Sequence, residues 1–367
     1  MGVARVLAGI LIRRVVPLAL SLLLLQPAAW GATRGEIYDV LDLPAVQSNR
    51  ATQAKLFGIT RAGDRLVAVG ERGFILYSDD GGDSWQQASV PVRATLLTAY
   101  FVTPQTGWAA GHDGVVLHSS DGGETWTKQL DGYEAADTGV EHYDSLINAH
   151  PDNEDYLIVR DEMLFAQEQG ADRPYFSIYF ENDQFGLVMG AYGMSMRTFD
   201  GGATWEPMLE NHADYRFRHL FDYHIGPDAR VIVGEMGLVW TQDKPFTKAK
   251  QSSLSYDGSI YTIVGNSRDE LIIAGLRGNG FRSVDHGETW TEVELPTSSS
   301  VVSSIRLADG RLVLATQAGE ILLSSDDGQS FDKMATDPLF PVADIEEGGR
   351  GELVVVGLGG VRIVKLN

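Results

Sequence analysis

The chain has 367 residues, no cysteine and a formal charge of −21 at neutral pH. The missing cysteines exclude disulfides, thiolate chemistry and lipid attachment through a thiol. The acidity argues against nucleic acid, whose phosphates need a basic face, and suits a basic patch on a protein partner.

Residues 1–31 read as a signal peptide. Arg5, Arg13 and Arg14 form a basic start, Val15–Leu25 an apolar core, and Ala29-Trp30-Gly31 offers small residues at the cleavage positions. The apolar run is shorter than the roughly 20 residues of a membrane span. Removing three arginines and no acids leaves 26 basic against 50 acidic groups, or −24. The expected location is the periplasm, with membrane association through a partner or an uncleaved N-terminal segment. Residues 32–367 read as one domain. Ile37–Leu43 precedes the first repeat and is expected to close the fold as a strand.

The repeats start at Leu56. In the first, Leu56–Thr60, Leu66–Val69, Phe74–Tyr77 and Gln86–Val90 are short β runs parted by turn residues. Between the third and fourth lies Ser78–Trp85, and its relatives follow at Ser119–Trp126, Thr198–Trp205, Ser283–Trp290 and Ser324–Phe331. The shared skeleton is Ser/Thr-x-Asp-x-Gly-x-Ser/Thr-Trp/Phe, the Asp-box. Trp85 to Trp126 is 41 positions, as is Trp290 to Phe331. A degenerate copy is expected at Thr241–Phe246, which ends 41 positions after Trp205. Four strands per unit of about 40 residues make a propeller blade. A second phrase, Gly-x-x-Gly or a variant, recurs seven times, so the expected fold is an all-β, seven-bladed propeller. The last unit, ending in Val361–Leu366, has no Asp-box and no fourth strand.

The Asp-box residues Asp80, Trp85, Asp121, Trp126, Asp200, Trp205, Asp285, Trp290, Asp326 and Phe331 are read as structural. A carboxylate can accept backbone N–H groups inside a tight loop, and an aromatic ring can fill the gap between sheets. Function is sought on the opposite face. There the Gly-x-x-Gly turns ring one mouth of the central channel, with Glu71, Arg72, His112, Asp113, Tyr192, Glu235, Met236, Arg277 and Gln317 as candidate partner-binding residues.

Residues 132–174 interrupt the repeats with a helical insert. Asp155–Gln169 reads as a helix with Tyr156, Val159, Met163 and Ala166 on one face, preceded by a short helix over Glu141–Ala149. The insert leaves on the turn face, and blade packing gives it no evident role. Its removal is expected to leave the propeller folded. No catalytic residue, metal site or cofactor is expected. His212, His219 and His224 lack metal-ligand spacing, and Walker, Gly-x-Ser-x-Gly and His-Glu-x-x-His motifs are missing.

The box phrases, with Tyr175–Phe180, Gly186–Gly193 and Thr198–Trp205, resemble the photosystem II stability and assembly factor family, in its bacterial, non-photosynthetic branch. The resemblance implies a non-enzymatic, monomeric accessory factor that docks on an envelope membrane complex, such as an exporter of the resistance-nodulation-division type. Photosynthetic members carry an arginine patch for a photosystem subunit. Here the ring offers only Arg72 and Arg277. The competing classes are a sialidase-like glycoside hydrolase and a small-ligand-binding propeller. The sialidase phrase Phe-Arg-Ile-Pro is missing after Phe217-Arg218 and Phe281-Arg282.

Overall fold

The computed structural model describes residues 39–366, except 212–215, 245–246, 267, 269 and 350. The expected signal peptide lies outside the described residues. Each repeat folds into one antiparallel sheet. In blade one the strands are Leu56–Ala62, Arg65–Gly70, Ile75–Ser78 and Gln86–Gln87, paired in that order. Among the described residues there are seven sheets, six of four strands and one of three. First strands of successive blades pack side by side, and that of blade one also meets that of blade seven, Val342–Glu347. The molecule is therefore the expected seven-bladed propeller.

The second strands are buried along their lengths, apart from half-buried Arg65, Arg230 and Glu352 at the start of three of them, because both faces of each sheet meet a neighbour. Sheets radiating from an axis diverge outward, so the outer gaps need large side chains. The Asp-boxes hold them there. In five blades a Ser or Thr hydroxyl donates to the box Asp and accepts the N–H of the second Gly position, while the Asp accepts the N–H of the following Ser or Thr. The side-chain and backbone hydrogen bonds from Ser84 hold the Asp80 carboxyl down at about 2. Trp126 then packs against blade one, Trp205 against blade two, Trp290 against blade four and Phe331 against blade five. At Gly328, with φ +77°, an added Cβ would lie 2.4 Å from Ile272 of blade five, so the loop itself also closes the gap.

Blade four has a different solution. The strand register puts Gln242, not Thr241, where the other blades carry the box hydroxyl. Gln242 bonds Tyr223 Oη and the carbonyl of Thr247. The wedge there is Trp240, on the third strand and 2% exposed. A one-residue shift and an aromatic one step upstream explain why this copy has no glycine.

The strand expected at Ile37–Leu43 is not seen among the described residues. Ile37 lies outside them, and Asp39–Leu43 forms a turn and bend. Buried Leu41 packs with Val90, Val92 and Ala94 at the exit of blade one. From there the chain runs along the outer strand of blade one, where Ala45 N–H donates to Val90 O and Gln47 Nε2 to Ala88 O. It reaches blade seven at Ala51–Gln53.

Around the channel, the first strands carry a bulge at one shared position. Polar residues there stitch blades together. Asp344 Oδ2 accepts Ile59 N–H of blade one at 2.9 Å, and its Oδ1 accepts Ser303 Oγ of blade six at 2.6 Å. Asp222 Oδ2 accepts Ile263 N–H of blade five at 3.0 Å. Burial raises both carboxyls to about 6 and Glu346 to about 7, against the hydrogen bonds that pull them down. A carboxyl raised on folding contributes stability that is complete below the unfolded value, near 4, and lost as pH rises through the folded one. These three groups therefore favour the ring at pH 5 over pH 7.5.

Two outcomes follow. In urea titrations Trp126→Ala should lose about 3–5 kcal/mol, and Trp85→Ala less, since Trp85 is only half-buried. In melting curves, the decline in stability from pH 5 to 7.5 should flatten in the double variant Asp222→Asn/Asp344→Asn, whose amides cannot ionise. An unchanged slope would exclude these carboxyls as its source.

Candidate partner-binding face

The turn between strands two and three is built alike in five blades. Its middle residue, at Arg72, Asp113, Tyr192, Met236 or Arg277, has φ between 52° and 59°, and glycine follows, also with positive φ. Non-glycine residues pay about 1–2 kcal/mol for this left-handed conformation. The strained position carries a side chain, and strain repeated at one site points to a use. Tyr192 and Met236 are 48% and 53% exposed. Arg72, His112, Arg277 and Gln317 are also exposed, and Glu71, Asp113 and Glu235 half-buried.

The insert forms an antiparallel helix pair, α1 (Gly132–Ala149) and α2 (Glu154–Gln169). α1 begins nine residues before the expected Glu141, because the Asp131 carboxylate accepts the N–H groups of Tyr133 and Glu134 as an N-cap. Gly139 does not break the helix. It is the point where Met163 of α2 closes in, and a Cβ there would lie 2.0 Å from the Met163 methyl. The insert also shares one core with blades two and three. Tyr143 is fully buried, donates its hydroxyl to Glu210 at 2.6 Å and accepts Leu209 N–H. Val159, Met163 and Ala166 pack in the cluster that holds Tyr175, Met194 and Trp205. The expectation that the insert is dispensable for the fold is therefore corrected: its removal would uncover blade three.

The outward side of α2 carries Leu157, Ile158 and Phe165, each 39–52% exposed. From Phe165 a line of rings crosses the mouth. The Arg173 guanidinium, buried and 2.6 Å from Glu162, lies 5.8 Å from the Phe165 ring and 5.2 Å from the Tyr192 ring. Tyr192 packs edge-on against His219 of blade four, whose Nδ1 accepts the Tyr192 N–H at 2.9 Å. His219 adjoins Phe176 and Phe221, and Phe221 meets Tyr261. His219 N–H donates to Glu235, and Arg218 donates to the Met236 carbonyl. Tyr192, Glu235 and Met236 are thereby joined into one patch over blades three and four. Glu71, Arg72, His112 and Asp113 lie on blades one and two, and Arg277 and Gln317 on blades five and six.

Sequence reasoning missed Phe165, Arg173, Phe176, His219, Phe221 and Tyr261. A signal existed for three of them. Phe176, Phe221 and Tyr261 occupy the second position of the first strands of blades three, four and five, where a half-buried aromatic recurs at the repeat spacing. Arg173 had no signal, since both its rings are reached only through the fold.

The exposed surface of the patch is aromatic and apolar. The Tyr192 hydroxyl makes no hydrogen bond to a carboxylate among the described residues. No cluster of three potential metal ligands occurs among the described residues. No described helix is long and apolar enough to cross a membrane.

Seven sheets, five intact Asp-boxes and an aromatic turn face define an Asp-box propeller. Residues 52–133 and 79–172 match the model of the photosynthesis system II assembly factor YCF48. No curated protein sequence matches the chain. Among solved structures, YCF48 bound to D1 peptide superposes with TM-score 0.62 at 16% identity, over 89% of this chain and 99% of that one. YCF48 from Cyanidioschyzon merolae gives 0.61 at 14%, over 86% and 96%. Virginiamycin B lyase from Staphylococcus aureus gives 0.61 at 11%, over 87% and 96%, a likeness of fold alone. The family match lies within residues 52–172, and the likeness to the two YCF48 structures is one of fold.

Arg173 is the joint between insert and turn face. Arg173→Met should leave Glu162 uncompensated and cost about 3–5 kcal/mol in chemical denaturation. Hydrogen exchange should quicken in α2 and at Ala191–Gly193 before it does in blades five to seven. Uniform quickening around the ring would exclude a local joint.

Proposed function

We propose that the protein is an exported, non-enzymatic accessory or assembly factor that acts in the periplasm as a monomer. It docks its turn face and insert on a membrane protein complex of the envelope, and the complex proposed is an exporter of the resistance-nodulation-division type. The observation that carries this is the exposed apolar strip from α2 through Tyr192 to Met236. Large apolar side chains grouped on one face mark interaction sites. Aromatic and Met side chains over a buried arginine are the composition of interface hot spots. YCF48 in complex with D1 peptide supports a peptide or tail of the partner as the bound element. The charge of −21 favours a basic partner surface and makes capture salt-sensitive.

The test is crosslinking capture of the exporter from native envelopes. The triple variant Phe165→Glu/Tyr192→Glu/Met236→Glu should lower capture at least about tenfold. The control Phe199→Glu/Val284→Glu, on the Asp-box side, should stay within about twofold, since surface changes away from a hot spot cost little. The reverse pattern would place the docking face on the other side of the ring.

A further inference from the structure

Blade seven ends in its third strand, Gly360–Lys365, and has no fourth strand among the described residues. In the other blades the fourth strand donates to the first carbonyl of the third, as Ala88 N–H does to Ile75 O, Met208 to Ser195, Ser252 to Val239 and Met334 to Ile321. The matching position in blade seven is Val361. Strand alternation turns the peptide groups of Val361, Ile363 and Lys365 outward, away from their pairing with Glu352–Gly357. They form an open edge.

A second vacancy lies beside it. On the third strand, the position facing the previous blade is buried and apolar in six blades: Leu76, Leu117, Met196, Trp240, Phe281 and Leu322. In blade seven it is Arg362, which is exposed. Blade seven also has no box aromatic. The result is a groove of about 700 Å³ between Arg362–Lys365 and Ala335–Leu339 of the preceding link. On the other flank a second groove, of about 520 Å³, is walled by Val361, Ile363 and the half-buried Trp85 of blade one.

We propose that this edge is a docking site for an extended segment of a protein partner, added as the fourth strand of blade seven, with an aromatic or large aliphatic side chain in the groove and carboxylates opposite Arg362 and Lys365. The other blades define the occupant. Each carries a short outer strand of this chain on the same edge, and in blade three a third-strand arginine already meets a fourth-strand acid, Arg197 with Glu206 at 3.5 Å. Arg362 and Lys365 form no ion pair among the described residues, in a chain of net charge −21. An acidic strand is attracted, whereas edge-to-edge pairing with a second copy sets like charges together. Among the described residues, the chain's own N-terminal side does not fill this edge. Asp39 lies beside Tyr133 of α1, and from there the chain runs toward blade seven rather than away from it. Strand addition gives affinity through the main chain and specificity through alternate side chains.

The probe is a fluorescein-labelled octapeptide of alternating valine and threonine around one tryptophan, with one glutamate on the tryptophan's face, to meet Arg362, and one on the other face, to meet Lys365. Binding is read by anisotropy on the purified protein. The peptide should bind at least about tenfold more tightly than a version with a central proline, which cannot donate to the ladder, or one with lysines for glutamates. The variant Arg362→Glu/Lys365→Glu, both exposed and so compatible with folding, should invert the charge preference. The triple variant of the turn face should bind the peptide as the parent does, so this site and the proposed function fail separately. Equal binding of the proline peptide, or indifference to charge reversal, overturns the proposal. So does binding that emerges only when residues 32–38 are replaced by a Gly/Ser linker, since the edge would then belong to the chain's own N-terminal segment. So does a dimer in sedimentation that the charge-reversed variant abolishes, since the occupant would then be a second copy.

Discussion

A four-stranded sheet with two apolar faces has no stable existence alone, and seven sheets around an axis can share faces only if the outer gaps are filled. The Asp-box ring or its substitute meets that constraint. The carboxylate does not touch the gap. It fixes the loop so that the aromatic enters at the right depth, and the cost of burying so large a side chain in one conformation is offset by the area it removes from water. Blade four shows that the wedge, not the motif, is essential: Trp240 does the same from a neighbouring strand without a box. Blade seven is the exception, with neither wedge nor outer strand among the described residues.

The same constraint divides the two faces of the ring. On the box side, loops are committed to packing and have little freedom to vary. On the turn side, the hairpins end in solvent, and a strained middle residue can point a side chain outward without disturbing the gap. The insert exploits this. α1 begins against the blade-two turn, where Gly132 nears Asp113 and Gly114, and is anchored on blade three by Tyr143. Arg173 then holds α2 against Tyr192. An adhesive surface is thereby mounted on a rigid base, which limits the ordering entropy lost on binding.

The repeat was legible because the box is local. Its hydrogen bonds span four residues, so its residues must recur together, and their spacing counts the blades. The same logic failed where structure is non-local. The start of α1 was missed although Asp131 and Glu134 form a start signal, because Gly139 reads as a breaker until Met163 is seen lying against it. Thr241 was aligned as the box hydroxyl because sequence weighs Asp243 and Phe246, while the ladder puts Gln242 opposite Arg230. The ring residues of the candidate face were chosen by topology, but the patch that joins them depends on Arg173 and His219, whose partners lie on the insert and on the neighbouring blade.

The hydrogen bond from Ile59 to Asp344 crosses 285 positions of sequence. It belongs to the seam where blade one meets blade seven, and the far half of that seam begins only at Val342. During synthesis, blades two to six can stack on a neighbour as soon as it emerges. Blade one cannot. Its face formed by Leu56, Leu66, Ala68 and Leu76 has no cover until Val354 and Val356 arrive. Closure therefore comes late and carries a large loop-closure entropy. A product truncated within its last few dozen residues would expose a continuous aliphatic sheet face, the kind of surface that chaperones retain and proteases clear.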